Sequence, residues 1–475
     1  MKDIVELRPR FARRKMIFGK IKELFFVGIG GSGMSGIAEI LHNLGYKISG
    51  SDNNPSDITR RLQELGVTIF YEHRAENIGT ANVVVISSAV SADNPEVIEA
   101  GKRGVAVIKR AEMLGELMRL KYSIGIAGTH GKTTTTSMIG KIMRDAGLDP
   151  TVIVGGIVTG RGTGASLGGG DYLVAEADEY DRSFLSMFPS MAVITNIEPE
   201  HLDCYDGQQD LENCFVTYMN RVPFYGLVVY PADDPIVSRL QSRITRASVS
   251  FGLTPGADYQ AVDIECIEGH SKFTVFGRDE KLGDIRLAVP GKHNVRNALA
   301  ALAAVMELEV PFDAAADSLS KFRGVGRRFE IKAVVDDIMV VDDYAHHPTE
   351  ITATIETAKT YGRRVIVIYQ PHLFSRTLQF YKEFAEVLHH ADLVLLTDIY
   401  PAREKPIEGV TAGMIEEYAK EKGFDNIRFI GEKENAVCEI AETSRPGDMI
   451  ITVGAGSITL LSPQIVKTLE ERKDG

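Results

Sequence analysis

The chain has few cysteines, no long apolar run and no excess of positive charge. Its cysteines show neither a CxxC pair nor regular spacing, which excludes a disulfide framework or a zinc knuckle and favours a reducing compartment. No apolar stretch reaches the roughly 18 residues of a membrane-spanning helix, and residues 1–20 are too charged for a signal-peptide core. We therefore predict a cytoplasmic protein without membrane insertion.

The formal net charge of −12 argues against a protein that wraps a nucleic-acid backbone, so we predict no nucleic-acid partner. A polyanionic small ligand would have to meet locally positive sites. The 475 residues are too many for one core and predict roughly two to four domains. The sequence contains no internal repeat and no low-complexity tract.

Short apolar strands alternate with amphipathic helices along most of the chain, a pattern typical of βαβ units and mostly parallel sheets. Residues 1–121 contain the strand candidates LFFVGI, YKISGSD, VVVIS and VAVI. Residues 122–328 contain YSIGIAG, YLVAEA, MAVITN and GLVVYP, followed by an antiparallel meander at about 258–290 and a helix from HNVRNALAALAAVMEL. Residues 329–475 contain DIMVVDD, RVIVIYQ, DLVLLTD, IRFIG and DMIITVGAG. We predict three α/β domains: a Rossmann-like domain, a P-loop-type ATPase domain with a small antiparallel sheet, and a second Rossmann-like domain.

A first glycine-rich turn, residues 28–33, fits the pattern G-x-G-x-x-G, and Asp52 ends the next strand. Glycines let a backbone approach a diphosphate, and the helix that follows offers unpaired N–H groups. Taken alone, this turn leaves open a nicotinamide or flavin cofactor, another diphosphate ligand, or a tight turn without a ligand.

A second turn, residues 128–133, reads GTHGKT between a strand and a helix. Ile126 stands where the long phosphate-loop pattern has its first glycine, but Lys132 and Thr133 are retained. The ammonium can bind β- and γ-phosphates, and the hydroxyl can join a Mg²⁺ shell. This placement favours nucleotide binding over a simple helix cap.

Acidic residues follow two strands of the same predicted sheet. Glu176 ends YLVAEA, and a second group after MAVITN contains His201. One carboxylate together with Thr133 and phosphate oxygens would suit Mg²⁺. An acidic run can also be a solvated loop. Here the acidic residues directly follow a strand of the sheet that carries the phosphate loop, and this position favours Glu176 as a metal ligand. The other members of the two groups are Asp178, Glu179, Asp181, Glu198, Glu200 and Asp203.

Six ordered motifs together resemble the Mur ligase family, which builds the peptide stem of peptidoglycan. They are GTHGKTTTT, VAEADEYDRSF, TNIEPEHLD, GKHNVRNALAA, GRRFE and VDDYAHHPTE, and the resemblance covers nearly the whole chain after the first twenty or so residues. It reassigns the first glycine turn to the UDP part of the substrate. VGIGGSGMSGIAEIL, DDYAHHPTEI, QPHLFSRT and DIYPARE resemble the members that join L-alanine to UDP-N-acetylmuramate through an acyl phosphate, with ATP and Mg²⁺ as cofactors.

The resemblance also implies roles for individual residues, carried over by motif. The implied ATP-binding residues are Gly128, Thr129, His130, Gly131, Lys132, Thr133, Thr134, His293, Asn294, Asn297, Arg328 and Asp343. The implied UDP-sugar contacts are Gly30, Ser32, Gly33, Asp52, Ser87, Ser88 and Arg110. The implied metal ligands are Thr133, Glu176 and His201. The implied catalytic residues are Lys132, His201, Arg328, His347 and Arg376, with His346 near the acceptor.

Some residues depart from the family pattern. YDGQQDLENCFVTYMNR contains no lysine that could be carbamylated, in agreement with the L-alanine subgroup. ADEYDRSF and Leu373 differ from the residues common in that subgroup and leave glycine or serine open as substrates. A murein-peptide ligase that attaches a tripeptide, an NAD-dependent oxidoreductase and a nucleotide switch are the competing hypotheses. Either a monomer or a homodimer is compatible with the sequence, and the base that deprotonates the amine stays open among His346, His347 and water.

Overall fold

The computed structural model describes residues 21–87, 89–155, 164–200, 204–402 and 404–474. Within them the strands form three sheets, of five, ten and six strands, which we call the first, second and third sheet. The chain divides into two compact units. Of the described residues, the first unit contains those up to Val262, Thr274–Ile285 and Arg296–Lys321, and the second contains Asp263–Phe273, Arg286–Val295 and those from Phe322 onward.

The first sheet has the strand order β3-β2-β1-β4-β5, and all its strands are parallel. This order confirms the Rossmann-like prediction, because the chain reverses direction across the sheet between β1 and β4. β3 was not predicted, since three residues carry no readable apolar run. The strands are β1 (Glu23–Val27), β2 (Lys47–Ser51), β3 (Thr68–Phe70), β4 (Val83–Ile86) and β5 (Ala106–Lys109). The helices are α1 (Ser32–Asn43), α2 (Asp57–Glu64), α3 (Pro95–Arg103) and α4 (Arg110–Met118), with a 3₁₀ turn at Ala75–Ile78.

The second sheet has the order β15-β14-β13-β12-β11-β10-β6-β9-β7-β8. β6 lies between β10 and β9 and is parallel to both. β13, β14 and β15 follow one another through two-residue turns, which confirms the predicted meander. The strands are β6 (Tyr122–Ala127), β7 (Thr151–Ile153), β8 (Ala165–Ser166), β9 (Tyr172–Glu176), β10 (Met191–Ile194), β11 (Leu227–Pro231), β12 (Ser248–Gly252), β13 (Tyr259–Ile267), β14 (His270–Gly277) and β15 (Glu280–Leu287). The helices are α5 (Lys132–Asp145), α6 (Gln208–Asn220), α7 (Pro235–Leu240), α8 (Lys292–Met306) and α9 (Phe312–Ser320), with 3₁₀ turns at Tyr180–Ser186 and Gln241–Arg243.

The third sheet has the order β16-β17-β21-β18-β19-β20. The edge strand β16 is antiparallel to β17, and the other pairs are parallel. The strands are β16 (Glu330–Val335), β17 (Ile338–Asp343), β18 (Arg364–Tyr369), β19 (Leu393–Thr397), β20 (Ile427–Gly431) and β21 (Asp448–Val453). The helices are α10 (Pro348–Lys359), α11 (Phe374–Leu388), α12 (Gly413–Glu421), α13 (Asn435–Thr443) and α14 (Leu461–Asp474), with a 3₁₀ turn at Ser457–Leu460.

Both faces of the third sheet are buried. Val341 and Val367 belong to one hydrophobic cluster, whereas their neighbours Val340 and Ile366 belong to another. Successive strand residues point to opposite faces, so near-continuous apolar runs place a core on each side. This leaves the carboxyl ends of the strands for polar side chains. Among the described residues, no helix has the length and apolar character needed to cross a bilayer.

Candidate active site

The phosphate loop connects β6 to α5 and depends on two glycines with left-handed backbone. Gly128 has φ 139° and Gly131 has φ 82°, a region that other L-residues rarely adopt. A Cβ atom at Gly131 would lie 2.4 Å from Oδ1 of Asn297 on α8, and both residues belong to the first unit. The predicted residues Gly131 and Asn297 are therefore in contact.

Residues 195–198, which follow β10, hold the phosphate loop in place. The Thr195 hydroxyl donates to the carbonyl of His130 (2.6 Å), and the Asn196 side chain accepts from the backbone N–H of His130 (2.9 Å). The backbone N–H of Glu198 donates to the Thr129 hydroxyl (2.8 Å). These bonds explain why two motifs about 65 residues apart, GTHGKT and TNIEPE, form one structure.

Lys132 is the first residue of α5, and its ammonium group folds back over the loop. Nζ donates to the carbonyls of Gly128 (2.6 Å) and Thr129 (3.0 Å) and to both carboxylate oxygens of Glu179 (2.8 and 3.0 Å). Burial by itself lowers the pKa of Lys132, because it penalises the charged form. The negative charges of Glu179, Asp178 and Glu176 outweigh this effect, so the pKa of Lys132 is raised. Burial raises the pKa of Glu179 to about 7, although the ammonium acts in the opposite direction.

Glu176, at the end of β9, is a buried carboxylate beside the loop. Its Oε2 accepts from the backbone N–H of Gly155 (2.7 Å), whereas its Oε1 is buried and has no hydrogen-bond partner among the described residues. Burial raises the pKa of Glu176, against hydrogen bonds from the Thr133 hydroxyl and the Gly155 N–H. An oxygen buried without a donor next to a threonine hydroxyl suits a hard divalent cation, so these two residues fit the predicted Mg²⁺ ligands.

The first glycine turn brings five of its predicted contacts together in the first unit. The backbone N–H of Gly30 donates to the carboxylate of Asp52 (2.9 Å). A Cβ atom at Gly28 would lie 3.2 Å from the Ser87 hydroxyl, and one at Gly33 would lie 3.1 Å from the guanidinium of Arg110. The turn, the end of β2, the end of β4 and the start of α4 therefore surround one place.

A buried carboxylate near this turn was not predicted. Glu96 on α3 is fully buried and accepts from Ser51 (2.7 Å) and Asn77 (2.8 Å), and it bonds to Nδ1 of His73 (2.8 Å). A buried carboxylate is costly unless donors surround it, and here side chains from three segments do so. The cluster fixes the orientation of His73 at the carboxyl end of β3. The isolated acid in NPEV gave no signal for this arrangement.

In the second unit, three predicted ATP-binding residues interact. Asp343 accepts from the backbone N–H groups of Phe329 (2.9 Å) and Ala345 (2.8 Å), and burial raises its pKa to about 6 against the charge of Arg328. Burial, together with the positive charge of Arg328, lowers the pKa of His293 to about 4. Arg328 lies 5.1 Å from the ring centre of Tyr344. These contacts link the start of α8 with the end of β17.

Imidazole and phenol rings gather around Arg376 in the second unit. A guanidinium nitrogen of Arg376 lies 3.3 Å from Nδ1 of His372, which stacks on Tyr400 with ring centres 5.8 Å apart. His346 packs edge-on against His372 at 5.9 Å and bonds to Glu350 through its backbone N–H (3.0 Å). Burial first, and then the charges of His346 and Arg376, lower the pKa of His372 to about 4. His372 and Tyr400 were missed, although the motifs QPHLFSRT and DIYPARE contained them.

The remaining predicted residues have different outcomes. His347 is buried and packs on Phe380, and it occupies the N-cap of α10 without a side-chain capping bond. The Asn294 side chain donates to the carbonyl of Pro290 (2.7 Å), and Thr134 is buried in the first turn of α5. His201, Ser88 and residues 1–20 lie outside the described residues, and so does the side chain of Ser32.

Three family models match consecutive parts of the chain. The Mur ligase family catalytic domain matches residues 23–122, the Mur ligase middle domain matches 126–305, and the Mur ligase glutamate ligase domain matches 327–456. The chain belongs to the Mur ligase family. The three matches correspond to the three sheets and confirm the predicted three-domain α/β fold, whereas the boundaries at 121 and 328 stay predictions.

This Mur ligase is similar over nearly its whole length to proteins of named activity. It is 48% identical over 460 residues to the UDP-N-acetylmuramate–L-alanine ligase of Geobacter sp. (strain M21), covering 96% of this chain and 100% of the relative. It is 49% identical over 461 residues to the enzyme of the same name from Salinibacter ruber, covering 96% of this chain and 97% of the relative. The crystal structure of the UDP-N-acetylmuramate–alanine ligase from Thermotoga maritima superposes with a TM-score of 0.81 at 30% identity, covering 95% and 99%. The crystal structure of the murein peptide ligase from Psychrobacter arcticus superposes with a TM-score of 0.69 at 26% identity, covering 94% of this chain and 98% of that one.

Proposed function

We propose that this Mur ligase joins L-alanine to the carboxylate of UDP-N-acetylmuramate at the expense of ATP, in peptidoglycan synthesis. The observation that carries the proposal is the identity of 46–49% with enzymes of that name over at least 95% of the chain. The phosphate loop with Lys132 and the separate glycine turn at Gly28 support it, because the reaction needs two phosphorylated ligands. An NAD-dependent oxidoreductase would leave the second loop without a role.

ATP would bind at the phosphate loop of the first unit. The backbone N–H groups at the start of α5 and the Lys132 ammonium suit the β- and γ-phosphates. Thr133 and Glu176 would hold Mg²⁺, with His201 a further predicted ligand. The metal, when bound, would neutralise phosphate charge and polarise the γ-phosphoryl group.

The first step is the attack of the muramate carboxylate on the γ-phosphate, which gives an acyl phosphate and ADP. Carboxylate and triphosphate repel one another, so the site must supply positive charge where the new bond forms. In the first unit, Lys132 is suited to supply it. In the second unit, Glu350 and the ring of Tyr344 hold the guanidinium of Arg328, which the family motif implies as a further catalytic cation.

The second step is the attack of the neutral amine of alanine on the acyl carbon, with release of phosphate. Arg376 is suited to the carboxylate of the amino acid, since guanidinium groups bind carboxylates in two-pronged geometry. Burial and the charges of His346 and Arg376 lower the pKa of His372 beside it to about 4. So weak a base is poorly matched to an amine, and the candidate bases stay His346, His347 and water.

One assay tests the proposed function. ADP release is measured with UDP-N-acetylmuramate and, in parallel, L-alanine, L-serine, glycine and the murein tripeptide. We expect L-alanine to give the highest kcat/KM. Preference for the tripeptide would support a murein-peptide ligase instead, and absence of ADP release with every amine would refute the ligase assignment.

A further inference from the structure

Lys132 has no N–H group left for a phosphate in this structure. An ammonium offers three donors, and four acceptors lie within 2.6–3.0 Å of Nζ. Two of the acceptors are the oxygens of Glu179, a side chain that is 1% exposed. A triphosphate can therefore bind Lys132 only after some of these bonds break.

Glu179 belongs to a segment, residues 178–186, that is under backbone strain. Asp181 and Arg182 both have left-handed backbone, with φ of 53° and 54°, although neither is glycine. The Ser183 hydroxyl donates to the carbonyl of Asp178 (2.9 Å), and Arg182 donates to the carbonyl of Cys204 (3.1 Å). Such strain persists only where surrounding contacts hold it.

The Arg182 side chain makes further contacts with neighbouring segments. Its guanidinium bonds to Asp210 on α6 (2.5 Å) and lies over the ring of Tyr205, whose hydroxyl donates to the backbone carbonyl of Glu179. The segment is thus attached to α6 at one end and to the ammonium of Lys132 at the other.

We infer that Glu179 is a positioning residue that acts through Lys132, holding the ammonium over the loop until the phosphates of the nucleotide displace the carboxylate. The inference rests on the proposed function and adds to it a residue that sets the affinity for ATP. Glu179 and the triphosphate are alternative counter-ions for one ammonium. The observed affinity for ATP therefore equals the intrinsic affinity of the loop multiplied by the fraction of molecules in which the pair is broken.

The test is Glu179→Gln, which removes the charge but keeps the size of the side chain. If the pair is closed in about nine molecules of ten, its removal tightens nucleotide binding about tenfold. Calorimetric titration with Mg²⁺ and a non-hydrolysable ATP analogue measures the dissociation constant, and steady-state kinetics separates KM for ATP from kcat. We expect both the dissociation constant and KM for ATP to fall, with a smaller change in kcat.

Two further variants make the result specific. Glu212→Gln removes an equally buried carboxylate from a pair with Arg239 in the same unit (2.5 Å) and should leave nucleotide affinity unchanged. Glu179→Asp keeps the charge but withdraws it from Nζ, so it should tighten binding less than Glu179→Gln. If Glu179→Gln fails to fold, Glu179→Asp carries the test against wild type.

The outcomes separate this inference from the proposed function. Unchanged or weaker nucleotide binding in the Glu179 variants, or a loss of kcat at constant KM, would overturn the positioning role while wild-type ligase activity stands. Wild-type protein that releases no ADP with UDP-N-acetylmuramate and any amine would instead refute the proposed function.

Discussion

The two glycine turns begin alike and differ in what neutralises a bound phosphate. In each, the first glycine after a parallel strand has left-handed backbone: Gly28 at 78° and Gly128 at 139°. The first turn carries no lysine, and the N–H of Gly30 is already bonded to Asp52. The second carries Lys132 among three acids. The first turn is thus suited to binding a diphosphate that does not react. The second is suited to stabilising the negative charge that develops during phosphoryl transfer.

The largest expected effect is on Lys132, where the two turns differ most. Lys132→Ala should lower the rate of ADP release about 100-fold or more, since loss of one donor to a developing negative charge typically costs that much. Lys141→Ala is the matched control, because Lys141 is on the same helix and forms an ion pair with Asp145 at its exposed end. Wild-type ADP release by the Lys132 variant would remove the contrast between the turns.

Glu176→Gln should change the metal requirement. Loss of even an outer partner weakens metal sites about 10–100-fold, so loss of a ligand should raise the Mg²⁺ concentration for half-maximal activity at least about tenfold. Titration of ADP release with Mg²⁺ measures the shift, with Glu212→Gln as control. An unchanged Mg²⁺ requirement would contradict the assignment of Glu176.

Alanine at each turn should separate the two ligands. Gly131→Ala forces a left-handed alanine, at roughly 1–2 kcal/mol, and places a Cβ 2.4 Å from Asn297. Gly28→Ala carries the same backbone cost with a milder contact at 3.2 Å to Ser87. We expect Gly131→Ala to raise KM for ATP and Gly28→Ala to raise KM for UDP-N-acetylmuramate by a smaller factor. Equal effects of either variant on both substrates would show that the turns do not bind separately.

The smallest effect should be at Asp52. Its carboxylate accepts from the N–H groups of Gly30 (2.9 Å) and Asn54 (3.1 Å), so it holds the turn in place from the end of β2. Asp52→Ala should raise KM for UDP-N-acetylmuramate about tenfold, in line with about 1–1.5 kcal/mol for such bonds. Asp52→Asn keeps one acceptor and should restore most of the affinity. If both variants match wild type in KM, Asp52 has no part in the UDP site.

The strands that lie inside the sheets were predictable because both of their faces are buried. VVVI, RVIVIY and DMIITV are nearly continuous apolar runs, and all became strands at the expected places. The missed strands β3, β7 and β8 have two or three residues each, too few for a run or a period. β12 and the edge strand β16 contain exposed and polar residues that hide the pattern.

The candidate site was predictable where one short motif contains all the partners. GTHGKT specified the loop, the lysine and the threonine together, because backbone and side chains act within six residues. The Lys132–Glu179 pair joins residues 47 apart, and the Glu96–His73 pair joins residues 23 apart. Such partners are chosen by the geometry of the sheet, and no spacing in a single sequence reveals which of several acids reaches the ammonium.

The course of the chain through the two compact units has a consequence for experiments with fragments. The chain passes from one unit to the other after residues 262, 273, 285, 295 and 321, so each unit is assembled from separate stretches of sequence. No single cut yields one complete unit, and a piece beginning at Phe322 would lack the parts of β13, β14, β15 and α8 that complete it. Limited proteolysis or truncation should therefore give incomplete products, and dissection of this ligase requires point variants in the intact chain.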